Sequence, residues 1–435
     1  MSPLYNSVLF LFLLAASPVL IYKLLTNKKT RAGFFQKAGI STDDTLSKIS
    51  ASRPIWIHAV SVGETIAAIP LVKGLRQKHP DNKIVISTVT LTGYETARDK
   101  LLNTAEGVDA VMFAPYDIPF IVKKIVSMID PSLYIVLETE LWPNIFRILK
   151  KKRVPSMVVN GRISDKSFKG YGMIKPLIKT VLHDITALCM QSPADVDRIV
   201  SLGAPPSNVY KTGSIKFDQK PPSTEYDPDD LFFKDLSDNF NRPIFVAGST
   251  HEGEEEQIAD VHIKLKESFD DLLTIIAPRH PDRVTAVETV LNKKGLDFIK
   301  RSSAKVDGCR NADIIILDTI GELAKVYNAA SVVFIGGSLV NNGGHNALEP
   351  SSLGKAVLFG PHMENFREIA ALLTGNNGAI QVKDKDELAI TLARLLSDGT
   401  ELEKIGNAGR LIYEQNRGAV ESTLKVADKL LAGTR

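Results

Sequence analysis

Cysteine is nearly missing from this chain: 435 residues hold two, Cys189 and Cys309, far apart and with no Cys-x-x-Cys partner. That excludes a disulfide framework and a zinc knuckle, and predicts two buried thiols in a reducing compartment. A charge excess is missing as well. Lys and Arg number 53 against 50 Asp and Glu, so a formal net charge of +3 gives no field for a nucleic acid, and none is expected as a partner. Two phosphate-loop signatures are absent. No Gly-x-Gly-x-x-Gly occurs, which counts against a dinucleotide enzyme, and no Gly-Lys-Ser/Thr ending makes a Walker A loop. What remains, 44% hydrophobic and 24% charged residues, is a globular composition long enough for two domains.

One long apolar run stands apart. Leu4 to Tyr22 is almost free of charge, has no basic residue before it, and is followed by Lys23, Lys28, Lys29, Arg31 and Lys37. Its length suits a membrane-crossing helix, and the basic flank predicts an outward N-terminus with the body in the cytoplasm. A cleaved signal peptide needs the opposite charge order. Residues 1–30 are therefore expected to be an uncleaved single-pass membrane anchor with its flank. Asn6, Ser7 and Pro18 weaken the span and leave a shallow interfacial helix open.

From Arg53 onward short apolar runs alternate with amphipathic stretches. Candidate strands are 54–60, 83–89, 133–138, 154–160 and 187–191, then 243–248, 272–277, 313–317, 331–335 and 356–359. Continuous apolar strands separated by helices predict an α/β fold with parallel sheets covered on both faces. The pattern gives two Rossmann-like domains facing a cleft. Residues 31–218 form the first, 219–241 a linker rich in proline and acids, and 242–435 the second. Ligands of such sheets sit beyond the carboxyl ends of the strands, so the loops there carry the function.

In the first half, His58-Ala-Val-Ser61-Val-Gly63-Glu64 puts Glu64 at or near a helix N-terminus, either as a cap or as a general base for an acceptor hydroxyl. Glu138-Thr-Glu140-Leu-Trp142-Pro143 ends a buried strand, where two acids share a face if the strand continues, and Pro143 opens a helix. Asn160-Gly-Arg162 and Gly213-Ser-Ile-Lys216 set cations beside turn glycines, as surface charges or as contacts for phosphate or carboxylate. In the second half, Gly248-Ser249-Thr-His-Glu-Gly joins a strand to a helix and offers amides and hydroxyls to an anion. Pro278, Arg279 and His280 follow the next strand, and Ile320-Gly321-Glu322 another. Gly336-Gly337-Ser338 leads to Gly343-Gly344-His345-Asn346-Ala347-Leu348-Glu349, where glycines allow close approach and Glu349 could accept from ribose hydroxyls. His345 and Glu349 have i, i+4 spacing, but with no obvious third ligand no metal is expected. These loops point to a nucleotide-type ligand and do not name the sugar.

The sequence resembles Kdo (3-deoxy-D-manno-octulosonic acid) transferases, inverting glycosyltransferases of the two-Rossmann-domain (GT-B) architecture. The segments carrying the resemblance are His58–Glu64, Glu138–Asn144, Asn160–Ser164, Gly213–Lys216, Ala277–Pro281, Ile320–Leu323 and Gly343–Glu349, which run in order through both halves. The resemblance implies that Glu64 is the general base and that Glu140, Glu138 and Lys216 steady charge. It also implies that Ser249, Pro278, Arg279, His280, Ile320, Gly321, Glu322, Gly343, Gly344, Asn346, Ala347, Leu348 and Glu349 hold the donor CMP-Kdo. The acceptor is then a lipid A precursor at the inner membrane, and no cofactor or metal is implied. A UDP-sugar transferase, a sugar-nucleotide epimerase and a non-catalytic scaffold of the same fold are the alternatives.

Overall fold

The computed structural model describes residues 3–27, 31, 33–40, 49, 52–102, 104–218, 224–227, 229–238, 242–307, 309 and 311–433. The chain forms two compact units, one of residues 1–219 with 416–435 and the other of residues 220–415.

The first unit is built on seven strands: β1 (Ile55–His58), β2 (Ile84–Thr88), β3 (Ala110–Phe113), β4 (Leu133–Leu137), β5 (Ser156–Gly161), β6 (Ala187–Met190) and β7 (Val209–Lys211). Their order is β3-β2-β1-β4-β5-β6-β7, and each neighbouring pair is parallel. Every residue of β1 to β6 is buried, which is why their sequences read as unbroken apolar runs rather than alternating ones. One sheet face packs Trp56, Tyr134 and Val158 against Phe146, Val122 and Leu182, and the other packs Ile57, Ile86 and Ile135 against Leu71 and Leu75. Burying each large aliphatic side chain contributes roughly 1.5–3 kcal/mol.

The second unit repeats the plan. It contains β8 (Ile244–Thr250), β9 (Leu273–Pro278), β10 (Ile299–Lys300), β11 (Ile314–Ile316), β12 (Val332–Ile335), β13 (Ala356–Phe359) and β14 (Ile380–Gln381). They lie parallel in the order β10-β11-β9-β8-β12-β13-β14. In each sheet the order reverses beside the first strand, between β1 and β4 and between β8 and β12. These are the switch points at which open α/β sheets leave a crevice for ligand.

Three boundaries differ from the sequence reading. The last helix, Ala419–Ala432, belongs to the first unit, not the second. Ala419, Leu424, Val426 and Ala427 are buried in the core around Leu71 and Leu75, and Asp218 accepts from Gly418 N and Val420 N at the helix start. Within the expected linker, Leu231–Asp238 is a helix whose Phe232, Phe233 and Leu236 are buried. Its apolar i, i+1, i+4 spacing was hidden by the surrounding prolines and acids.

The third correction concerns the N-terminus. Residues Pro3–Thr26 form one helix, but among the described residues no helix is long and apolar enough to cross a membrane. Its first turn is tied to the first unit: Tyr5 Oη donates to Asp117 Oδ2 at 3.1 Å, and Asn144 Nδ2 to Asn6 Oδ1 at 3.1 Å. Beyond its far end, Lys37 Nζ donates to Val89 O and Gln36 Oε1 accepts from Phe113 N, both at 2.8 Å. A crossing helix would carry Tyr5 about 30 Å from the unit it is bonded to. The structure therefore shows a helix whose start is held at the first unit, and it does not show a single-pass span.

Candidate active site

In the first unit, β1 and β4 deliver three carboxylates to the switch point. Ser61 caps the helix Val62–Lys78 by accepting from Glu64 N, and Glu64 reaches back to accept from Val60 N. This is a capping box displaced by one residue. Among the described residues Glu64 Oε1 accepts only from Ser61 Oγ, at 3.3 Å, so lone pairs remain for a second proton donor. Burial raises the Glu64 pKa to about 7, the Val60 N–H opposes that rise, and the charges of Glu138 and Glu140 add to it. Cap and base are thus compatible in one side chain. His58, by contrast, is buried with Nδ1 3.0 Å from Ser87 Oγ, and burial lowers its pKa to about 4, so it is a neutral core histidine.

β4 stops at Leu137, so Glu138 and Glu140 do not share a strand face as expected. Glu138 turns the chain with φ +56°, a left-handed conformation that costs a side-chain-bearing residue energy and is found where a site demands it. Glu140 accepts from Trp142 Nε1 at 3.0 Å, and burial, with Glu138 nearby, raises its pKa. Pro143 opens the helix Pro143–Lys151 as expected.

The loop after β5 is tied to this turn, since Arg162 N donates to Thr139 Oγ1 at 2.9 Å and Thr139 Oγ1 donates to Arg162 O. Asn160, fully buried and also left-handed at φ +59°, accepts from Ile215 N with Oδ1. Its Nδ2 has no partner among the described residues. Lys216 sits on the 3-10 turn Ile215–Asp218, held on one side by buried Ile215 and on the other by Asp218 at the start of the last helix. The sequence had placed Lys216 correctly after a turn glycine but gave no sign of the C-terminal helix that fixes it.

In the second unit the loops after β8, β9 and β12 converge. Ser249 is left-handed at φ +59°, and Arg279 N donates to Thr250 O at 2.9 Å. The Arg279 and His280 side chains are exposed. Its charge acts on Glu349 and His345, which places the three together. Glu349 is half-buried; burial raises its pKa, while the Asn346 Nδ2 donor at 3.2 Å and Arg279 oppose the rise. Asn346 Oδ1 accepts from Leu348 N and so starts the short helix Leu348–Ser352, with Ala347 just before it. His345 lies outside that helix, so its i, i+4 spacing from Glu349 is not helical.

The fold holds the other expected site residues in different ways. Glu322 accepts from Arg301 Nε and Nη2, both at 2.9 Å, and Arg301 also pairs with buried Asp230, so this carboxylate is engaged by the fold. Ile320 is 84% exposed and Gly321, at φ +86°, has open space around it. Gly343 and Gly344 are left-handed because the chain itself comes close: a Cβ would meet Asn365 at 2.4 Å and Met363 Sδ at 2.3 Å. The amides of Gly337, Ser338 and Leu339, which look suited to phosphate, all donate to the buried carboxylate of Glu254. Glu254 and His251 are the residues the sequence reading passed over. The signal for them was an acid three residues beyond a strand-end histidine, easily taken for a solvated helix start.

Residues 27–219 match the family described as 3-Deoxy-D-manno-octulosonic-acid transferase (kdotransferase). The chain is similar to a 3-deoxy-D-manno-octulosonic acid transferase of Haemophilus influenzae, 36% identical over 378 residues, 85% of each chain. It is similar to a protein of the same name from Rickettsia felis, 32% identical over 415 residues, which is 93% of this chain and 86% of the relative. Among solved structures, a glycosyltransferase from Rickettsia africae superposes with a TM-score of 0.54 at 15% identity, covering 87% of this chain and 99% of that one. That likeness speaks for the two-Rossmann-unit fold alone.

Proposed function

The chain belongs to the 3-deoxy-D-manno-octulosonic-acid (Kdo) transferase family of glycosyltransferases, and from that premise we propose that it moves Kdo from CMP-Kdo to a lipid A precursor, lipid IVA, in lipopolysaccharide biosynthesis. The observation that carries the reading is Glu64, a half-capped carboxylate with a pKa of about 7 at the switch point of the first sheet. Such a group accepts a proton near neutral pH. The acceptor hydroxyl loses its proton to Glu64 as its oxygen bonds the anomeric carbon, and the bond from that carbon to the phosphate of CMP breaks with inversion. Lys216 offsets negative charge, while Glu138 and Glu140 keep Glu64 basic. Donor binding falls to the second unit, with Ser249, Pro278, Arg279 and His280 toward the phosphate and Asn346 through Glu349 toward the ribose. Ile320, Gly321, Gly343 and Gly344 shape that site through their backbone, and Glu322 holds its loop through Arg301. The helix Pro3–Thr26 lies along the inner-membrane surface, where exposed Val8, Phe10, Leu11, Leu14 and Val19 suit lipid.

Calorimetric titration with CMP tests the donor half. Arg279→Ala and Glu349→Ala should each weaken binding by the roughly 10- to 150-fold that loss of a charged hydrogen bond, about 1.5–3 kcal/mol, implies. Unchanged affinity in both variants removes these loops from the nucleotide site.

A further inference from the structure

At the switch point of the second sheet two imidazoles meet edge to edge. His251 Nε2 and His345 Nε2 are 2.8 Å apart, and the ring planes lie within 2° of each other. The fold brings them together by named contacts. Glu254 accepts from His251 N and from Gly337 N, pinning the turn after β8 to the turn after β12. Gly337, left-handed at φ +69°, leaves both rings room, since a Cβ there would lie 3.3 Å from His251 Cδ2 and from His345 Nε2.

Two nitrogens at hydrogen-bond distance need one proton on the line between them, and no more. In the neutral pair one ring donates from Nε2, and the other accepts there and keeps its proton on Nδ1. One further proton can join at the free Nδ1 of the donating ring, giving an imidazolium hydrogen-bonded to an imidazole. A second further proton would force the two Nε2 atoms apart. Among the described residues no group of three or more His, Cys, Asp or Glu is placed to hold a metal ion, so the contact is read as a proton bond.

We propose that the His251–His345 pair is part of the donor subsite and takes up one proton when the phosphate of the donor arrives, turning a neutral pair into a cationic clamp. This rests on the donor reading given above. The charged groups facing the pair favour such a response. Arg279 and His280 from the loop after β9, and Arg283 from the following turn, act on His251, and Arg279 and His280 also act on His345. Glu254 on the adjoining helix is occupied by four backbone amides, and Glu255 by Arg283 and Thr250. His362, beside Gly344, lies 3.5 Å from Glu364. With cations nearest and the carboxylates engaged, burial and like charge hold both rings neutral at pH 7, His345 with a pKa of about 4. The incoming phosphate, a monoanion in the donor's diester and a dianion in CMP, offsets those cations and reverses the balance.

The test is CMP binding to the full chain above pH 7, where the phosphate of CMP itself, with a second pKa of about 6, is already dianionic. Calorimetry in buffers of different ionisation enthalpy should report uptake of up to one proton per CMP. The Kd should rise with pH, by up to tenfold per unit while the bound pair holds the extra proton, and level off once the bound pair loses it. His345→Gln and His251→Gln should each lose the uptake and flatten the pH dependence, while His183→Gln, at an exposed histidine of the first unit, keeps both; melting curves confirm that the variants fold. CMP binding by wild type without proton uptake overturns the pair's role alone. Uptake that persists in both pair variants overturns it too, by placing the proton elsewhere. A wild-type protein that binds no CMP overturns the donor reading, and the pair's role with it.

Discussion

The two duties proposed for Glu64, cap and base, pull in different directions with pH. In an unfolded chain a glutamate ionises at about 4.3, whereas here burial and two neighbouring carboxylates raise the value to about 7. Between those values the folded state holds a proton that the unfolded state has shed. The stabilisation is therefore fully present below the lower value and is lost as pH rises through the upper one. Glu64→Gln removes that loss while keeping an oxygen for the Val60 N–H. The melting temperature of the variant, relative to wild type, should accordingly improve from pH 5 to pH 8. Over the same range the wild-type rate should climb as the carboxylate forms, and the variant should be slower by roughly the 10²–10⁴-fold of a lost general base. A variant that turns over at the wild-type rate would leave Glu64 as a cap only.

At the scale of elements, each candidate strand of the sequence reading has its counterpart in the two sheets, because a parallel strand buried on both faces cannot avoid an apolar run. The four strands it lacked are β3, β7, β10 and β14, among them edge strands of two or three residues that no periodicity can announce. The loops that follow the strands were legible for the same reason. What was not legible was which partner each loop residue would choose. Glu322 found Arg301, the amides beside Gly337 found Glu254, and Asp218 found a helix 200 residues later, all through non-local contacts. The N-terminal helix is the clearest case, since hydropathy alone reads as a span and only Tyr5 and Asn6 reveal the tether. A single thiol tests it. With Cys189 and Cys309 both buried, Ser7→Cys should react with a membrane-impermeant maleimide in inverted inner-membrane vesicles, on the side that exposes the body. Labelling only after the vesicles are opened would restore the crossing helix.

For the whole molecule, two sheets of like plan each carry their polar loops at the switch point, the first rich in carboxylates and the second in cations and histidines. That division suits a transfer in which one unit must take a proton and the other must hold a leaving phosphate. It also suits a donor whose own charge is negative, since Arg279 and His280 stand exposed while Glu254 and Glu322 are engaged in the fold. The most direct measurement is product mass spectrometry after incubating the purified chain with lipid IVA and CMP-Kdo, with UDP-N-acetylglucosamine as the rival donor. The account predicts an acceptor heavier by one or more Kdo units with CMP released, and no product from the UDP-sugar. Transfer from the UDP-sugar with CMP-Kdo left intact would contradict it.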